Sequence, residues 1–382
     1  MLMNLLEDTK MDLIELRNQI DEIDSEILKL FSRRMDICRD VAEYKKQNDL
    51  PVMQGGREQQ IIERVRSNSP DSLKDGAAML FQNIMDISKC IQNMEIRRDS
   101  HLSSPKPFIP ENAAKIACQG TAGAYSEAAC KKLFGDKPAV FYHAFEDVFN
   151  AVESGEADYG ILPLENSTIG TISETYDLMS KHRCNICSIV RVEITHCLAA
   201  VKGADLDSIK YVYSKAEALS QCSEFIKSNG LIRREYANTA LSAELIKERN
   251  DPSIACICSK SCAELYGLEI ISDRIADAYP NYTRFICFSK DYISPADADT
   301  ISVCVAISNT PGSLYRMLTK FSVAGLNMTK IESKNIAGSD FEVLFYLDFK
   351  GSCADPKVVT LLHDLENEMS FFRFLGSFKE IV

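Results

Sequence analysis

The chain reads as a multidomain protein, with an all-α N-terminal part, an α/β middle part and an α+β C-terminal part. Three observations predict this. Apolar residues recur at spacings of three and four over residues 11–95. Short apolar runs alternate with amphipathic stretches over residues 114–290. The segment after residue 299 follows the order strand, helix, strand, strand, helix, strand, the ferredoxin-like βαββαβ pattern. A length of 382 residues suits about two to three domains.

In the first part, Leu13, Leu16, Ile20, Ile23, Ile27 and Leu30 form a seam that continues through Ile37, Val41 and Tyr44. A helix from Leu13 to Tyr44 spans about 45–50 Å. So long a helix is hard to cover with the rest of this segment, so the seam is expected to meet a second chain in a dimer. Pro51 and Gly55-Gly56 break the helix. A second helix is predicted over 57–67, stopped by Ser69-Pro70, and a third over 71–97. Three prolines between Arg97 and Glu111 mark a linker.

The position after Leu30 in the seam is Arg34. A guanidinium on an apolar stripe is costly unless an anion pairs with it. Lys45 lies eleven residues on, about 20° away after full turns, so the two cations share a face. Arg17 falls about 100° away and would join them more readily from a partner helix. The alternative is a snorkelling arginine at a bundle end.

In the middle part, Lys115–Gln119, Tyr159–Pro163, Ile189–Ile194, Leu198–Val201, Tyr211–Tyr213 and Ile254–Ile257 are predicted strands, and parallel ones. Ala124–Phe134, Phe145–Ser154, Ser214–Ser228 and Thr239–Arg249 are predicted helices between them. Gly120-Thr121-Ala122-Gly123-Ala124-Tyr125-Ser126 joins a strand to a helix, and its small residues leave backbone N–H groups able to face an anion. It lacks the G-x-G-x-x-G spacing of a dinucleotide site. Leu162 to Thr168 also follows a strand, and its hydroxyl, amide and carboxylate groups either line a cleft or cap a helix. Residues 291–299 are a second polar linker. Beyond it come Ile301–Ser308 (strand), Leu314–Ala324 (helix), Met328–Lys334 and Phe341–Phe349 (strands), Pro356–Glu368 (helix) and Phe372–Phe378 (strand).

The balance of 43 Lys+Arg against 55 Asp+Glu gives −12, which argues against nucleic acid or an anionic membrane as partner. No apolar run is long enough to span a bilayer, and Met1–Lys10 carries no signal-peptide pattern. The 14 cysteines are expected to be reduced thiols of a cytoplasmic protein. Cys184 and Cys187 have C-x-x-C spacing but no second pair, so no zinc site, and no metal or cofactor, is expected.

Leu16-Arg17-Asn18-Gln19-Ile20-Asp21, Arg33-Arg34, Lys45 and Arg57-Glu58 resemble the all-helical, AroQ-type chorismate mutase domain, with Ser88 and Gln92 at the spacing of its substrate contacts. The resemblance assigns residues 8–98 to that domain and implies a dimer of three-helix chains with shared active sites. It carries over Arg17, Arg34, Lys45, Arg57, Glu58, Ser88 and Gln92 as catalytic residues. The family often has an acid where this chain has Gln54. The chemistry suits the residues. Chorismate is a dicarboxylate that rearranges without nucleophile or proton transfer, so a catalyst clamps the carboxylates with Arg17 and Arg34 and steadies the breaking ether oxygen with Lys45 and Gln92.

The Gly120 loop, Pro163-Leu164-Glu165-Asn166-Ser167, His196-Cys197-Leu198, Asn238-Thr239-Ala240 and Asn281-Tyr282-Thr283-Arg284-Phe285 resemble prephenate dehydratase in order and spacing. This implies, over residues 114–290, two α/β lobes like those of periplasmic binding proteins, with the site in the cleft. Thr283 is carried over as the donor to the departing hydroxyl. Ser126, Glu165, Asn166, Ser167, Thr168, Asn238, Arg284 and Phe285 are carried over as substrate-binding, with Arg284 either holding a carboxylate or tying the lobes together. Ser214-Lys215-Ala216-Glu217 stands where the family has Ser-His-Pro-Gln. His196 is expected to be structural.

Thr310-Pro311-Gly312-Ser313-Leu314 and Ile331-Glu332-Ser333-Lys334 resemble the ACT regulatory domain, over residues 300–380. The resemblance implies phenylalanine binding through Gly312, Ser313, Leu314, Glu332 and Ser333 at a dimer interface. Lys334-Asn335 replaces the family's Arg-Pro. End to end, the domain order resembles that of bifunctional chorismate mutase–prephenate dehydratases, which implies feedback inhibition by L-phenylalanine and a homodimer or higher oligomer. The rival readings are an arogenate dehydratase with a vestigial mutase, and an amino-acid-sensing binding protein with dead active sites.

Overall fold

The computed structural model describes residues 13–48, 55–95, 104–335 and 343–382. Pro51, Gln54, Arg97 and the start of the strand expected at Phe341 lie outside them.

The N-terminal part is three helices, α1 (Leu13–Gln47), α2 (Gly55–Asn68) and α3 (Lys74–Glu95). From Phe31 onward α1 has two sides. Met35, Ala42 and Lys45 are buried on the side facing α3. Residues 13–30 include none that is buried, and the seam residues Ile20, Ile23, Ile27 and Leu30 are 53–66 % exposed. The first half of α1 therefore stands clear of its own chain.

A short strand, β1 (Lys106–Pro107), leads into the first lobe. There β2 (Ile116–Gln119), α4 (Tyr125–Phe134), β3 (Ala139–Tyr142), α5 (Phe145–Ser154) and β4 (Tyr159–Asn166) follow one another. β2 runs parallel to both β3 and β4. A hairpin joins β4 to β5 (Gly170–Thr171), and α6 (Ser173–Lys181) leads to β6 (Asn185–Glu193). The chain then crosses to a second lobe made of β7 (Cys197–Ala200), β8 (Tyr211–Ser214), α7 (Ala216–Gln221), α8 (Ser223–Ser228), β9 (Ile232–Glu235), α9 (Thr239–Arg249), β10 (Ile254–Cys258), α10 (Lys260–Tyr266) and β11 (Glu269–Ser272). Its sheet has the order β11-β7-β10-β8-β9. The chain crosses back, and β12 (Tyr282–Ser289) inserts between β4 and β6, antiparallel to both.

Two expectations are corrected here. The sheets are mixed rather than parallel, because β12 returns through the gap between lobes and β7 runs against β10 and β11. The helix expected over 214–228 breaks at Cys222 into α7 and α8. The Asp277 carboxylate, on the returning crossover, accepts hydrogen bonds from the backbone N–H of Ser223 (2.9 Å) and Glu224 (3.0 Å) and so caps a new helix start.

The expected second linker contains β13 (Ile293–Ser294), paired with β1. The C-terminal part is β14 (Thr300–Ala306), α11 (Ser313–Ala324), β15 (Met328–Asn335), β16 (Val343–Lys350), α12 (Pro356–Glu368) and β17 (Phe371–Phe378), with a final β18 (Glu380–Ile381). Its four main strands pair antiparallel in the order β15-β16-β14-β17. Val303, Leu347 and Phe349 of the sheet pack with Met317 and Phe321 of α11 and Leu361 of α12. Cys304, Tyr346 and Leu375, on the other face, pack on the first lobe. β17 touches β6 at Gly376, where φ is +147° and a side chain would overlap the Ile186 backbone. That contact joins the two sheets into one.

Among the described residues no helix is long and apolar enough to cross a membrane, and no cluster of side chains suits a metal ion. Cys184 and Cys187 are both buried; Cys187 Sγ lies 3.4 Å from Cys287 Sγ.

Candidate active sites

In the helical part, Arg34 reaches from α1 to α3. It donates to the Ser88 hydroxyl and, at 3.4 Å, to the Ile84 carbonyl. Ser88 and Gln92 are one turn apart on α3 and both are buried. Gln92 Oε1 is buried without a hydrogen-bond partner. Lys45 is buried as well. Burial lowers its pKa, against the opposing pull of Cys38 and Glu58, and the net direction is down. Glu58 sits on α2, ion-paired with Lys89 at 3.2 Å. The structure thus brings Arg34, Lys45, Glu58, Ser88 and Gln92 around the three-helix junction. It leaves Arg17 and Arg57 exposed. Arg17 is about 25 Å along the helix from Arg34, so it cannot close the same pocket within one chain.

In the α/β part, the returning strand decides the geometry. A register shift between Arg284 and Phe285 sets Thr283 opposite Asn166 and Arg284 opposite Glu165. Successive residues then face opposite sides. On one side, Asn166 Nδ2 donates to Thr283 Oγ1 (2.9 Å) and to Asn281 Oδ1 (2.7 Å). Asn166 Oδ1 accepts from the backbone N–H groups of Thr168 and Ile169. Ser167 Oγ accepts from the Tyr282 N–H at 2.9 Å. All three of Asn166, Asn281 and Thr283 are buried. Because Thr283 Oγ1 accepts from Asn166, its own O–H proton is turned elsewhere, the arrangement a proton donor needs. A cavity of about 420 Å³ opens between the lobes beside this cluster, lined by Thr168, Ile169, Glu217, Gln221, Asp277 and Asn281.

On the other side, Glu165 Oε1 accepts from Arg284 Nη1 at 2.5 Å, and Glu165 Oε2 is paired with Lys330 of β15. Burial pushes the Glu165 carboxyl up, but Lys330 and Arg284 outweigh it, so the net shift is below the ordinary carboxylate value. Arg284 Nε also lies 3.3 Å from Glu380. Glu165 and Arg284 are therefore placed apart from Thr283, tying the first lobe to the C-terminal part. Phe285 is 3 % exposed, in a core with Cys118, Cys130 and Val190. The alternation of a strand and the bulge beside it separate these neighbours.

Ser126 is buried in the first turn of α4. The Gly120 loop is less open to an anion than expected, because the Glu127 carboxylate accepts the Gly123 N–H at 2.6 Å. Gly123 (φ +84°) packs so closely on Cys262 of α10 that a Cβ there would lie 3.0 Å from its sulfur. Asn238 caps α9, accepting from the Leu241 N–H at 2.7 Å. Lys215 pairs with Glu217 at 3.3 Å, and both are about half exposed. His196 is buried between Gln221 (2.9 Å) and the Tyr125 hydroxyl (3.4 Å), and burial lowers its pKa.

In the C-terminal part, Gly312 takes a left-handed conformation (φ +80°) at the start of α11. A cavity of about 640 Å³ lies there, lined by Ser308, Thr310, Gly312, Ser313, Leu314 and Phe345. Glu332 and Ser333 do not join it within the chain. Glu332 accepts from the Thr171 hydroxyl of β5 at 2.9 Å, and Ser333, on the opposite face of β15, is exposed. Asn281, Lys330 and Lys89 were not singled out from the sequence as site residues. The Lys330-x-Glu332-x-Lys334 alternation was the available signal for β15.

These features define a chain with two separate polar sites, one helical and one α/β, followed by a small domain that packs on both parts. Residues 16–93 match the family model for chorismate mutase type II, and residues 116–292 that for prephenate dehydratase. The chain belongs to the chorismate mutase/prephenate dehydratase family and is an enzyme. It is 29 % identical over 374 residues to the bifunctional chorismate mutase/prephenate dehydratase of Neisseria gonorrhoeae, covering 97 % of this chain and 98 % of that one. It is 34 % identical to arogenate dehydratase/prephenate dehydratase 2 of Arabidopsis thaliana, over 75 % of this chain and 81 % of that one. The structure of prephenate dehydratase from Arthrobacter aurescens in complex with L-Phe superposes with a TM-score of 0.65 at 28 % identity, covering 69 % of this chain and 90 % of that one.

Proposed function

We propose that this chain rearranges chorismate to prephenate in its helical part and converts prephenate to phenylpyruvate in its α/β part. In the first step Arg34, with Arg17 from a partner chain, holds the two carboxylates. Lys45 and Gln92 donate to the ether oxygen as its C–O bond breaks and the new C–C bond forms.

In the second step the bond to the ring carboxylate breaks and carbon dioxide leaves. That electron pair completes the aromatic ring as the C–O bond at the far carbon breaks. The departing oxygen takes the Thr283 proton and leaves as water; the alkoxide is reprotonated from solvent. A threonine is a weak acid, so the buried Asn166 amide on its oxygen is needed to steady the charge that develops. The Asn166–Thr283 hydrogen bond is the observation that carries this reading.

The C-terminal part is read as an ACT domain that binds L-phenylalanine in the cavity around Gly312, with Ser333 reaching it from a second copy. The exposed α1 seam supports a homodimer, and the free cysteines, most of them buried, suit the cytoplasm. Burying each of its large apolar side chains contributes about 1.5–3 kcal/mol.

The test is to assay the purified full chain separately on chorismate, prephenate and arogenate. Turnover of the first two is expected. Arogenate is included because the Arabidopsis relative carries both dehydratase names. Turnover of arogenate alone would replace the prephenate reading.

A further inference from the structure

Ser88 and Gln92 turn one face of α3 toward α1. Lys89, one residue on from Ser88, is rotated by about 100° toward α2. Its ammonium lies 3.2 Å from Glu58 Oε2 and 2.8 Å from Asp86 Oδ1. The Lys89 side chain is only 14 % exposed and that of Glu58 26 %, so this is not the solvated pair whose contribution is usually small. The second Asp86 oxygen is buried without a hydrogen-bond partner.

Glu58 poses an electrostatic problem for a mutase. Its carboxylate lines a cavity with Asp86, Lys89 and, from α11, Arg316 and Lys320, next to the face that carries Ser88 and Gln92. It also acts on Lys45, the cation that the ether oxygen needs. A carboxylate without its own counter-ion would repel the substrate and compete with it for Lys45. Among the described residues, Lys89 is within ion-pair distance of Glu58, and Asp86 holds it from the opposite side.

We propose that Lys89 is a positioning residue of the mutase site, neutralising and aiming Glu58 so that a dianionic substrate enters and Lys45 is directed to the ether oxygen. The inference rests on the mutase reading above. Lys89 acts through Glu58 and does not touch the substrate.

The experiment is a double-mutant cycle in the full chain, with chorismate as probe. Lys89→Met is expected to raise KM more than tenfold with kcat changed less, because the unpaired carboxylate repels ground state and transition state alike. In a Glu58→Gln background the same substitution should cost less than threefold, and Lys89→Arg should stay within threefold of the wild type. Dehydratase turnover by the same preparations controls for folding. If Lys89→Met fails to fold, Lys89→Gln takes its place in the same cycle. An equal cost in the wild-type and Glu58→Gln backgrounds overturns the proposal, since a purely structural lysine would behave so. A wild type that leaves chorismate unchanged overturns the mutase reading itself, and the role of Lys89 with it.

Discussion

Thr283 and Arg284 are adjacent in the chain and serve opposite sides of one strand. Thr283 accepts a hydrogen bond from Asn166 at 2.9 Å beside the cleft, whereas Arg284 pairs with Glu165 at 2.5 Å on the side of the C-terminal domain. The β4–β5 hairpin is thus held from two directions. Asn166 faces Thr283 and the cleft, and Glu165 and Thr171 face Lys330 and Glu332 of β15. A shift of β15 would pull directly on the strand that carries Asn166.

The two sites should fail independently. Thr283→Val is expected to lower dehydratase kcat by about 10²–10⁴-fold, the usual range for a lost general acid, with chorismate turnover within twofold of wild type. Arg34→Ala should do the reverse. Equal loss of both activities in either variant would contradict separate sites.

The α1 seam should hold the dimer and the mutase together. Ile23→Glu combined with Ile27→Glu places charges on residues now 56 % and 53 % exposed in the single chain. Light scattering should then report a smaller particle, and mutase activity should vanish because Arg17 cannot reach the Arg34 pocket of its own chain. A species of unchanged mass with full activity would refute this.

Phenylalanine control should depend on the β15 contacts. Thr171→Val removes the donor to Glu332 without altering the cavity near Gly312. Calorimetry is expected to give an unchanged phenylalanine affinity, while inhibition of prephenate turnover weakens severalfold. A parallel loss of binding and inhibition would mean that Thr171 belongs to the effector site.

Mutase activity should have its own alkaline limb. Lys45 donates only while protonated, and its pKa is lowered from the ordinary 10.5 chiefly by burial. The rate is therefore full at neutral pH and is lost as pH rises, at a lower pH than an ordinary lysine would set. Chorismate turnover followed upward from neutral pH should decline on this limb, and Lys45→Arg, whose guanidinium does not titrate there, should abolish the limb whatever it does to the rate. A decline that survives Lys45→Arg would assign the titration to another group.

Much of this was legible in order and spacing. The 3–4 rhythm of Leu13 to Tyr44 specified a long helix with one apolar stripe, and that helix is α1, its stripe exposed over Leu13 to Leu30. The βαββαβ order after residue 299 reappears strand for strand. The helix predicted through Cys222 failed because the cap that breaks it, Asp277, comes from 54 residues away. The parallel sheet failed because β12 enters the first lobe only after the chain has built the second.

Local patterns of polarity and periodicity are properties of neighbours along the chain, so the sequence alone determined most of the elements, their order, and the residue types suited to carboxylates and a leaving hydroxyl. Which of those residues meet was a matter of registers and crossings between distant segments. Only the tertiary structure set Asn166 against Thr283, turned Glu165 and Arg284 toward Lys330, sent Glu332 to Thr171, and stood Lys89 beside Glu58. A strand's alternation separates what the sequence lists side by side, and packing joins what it lists far apart.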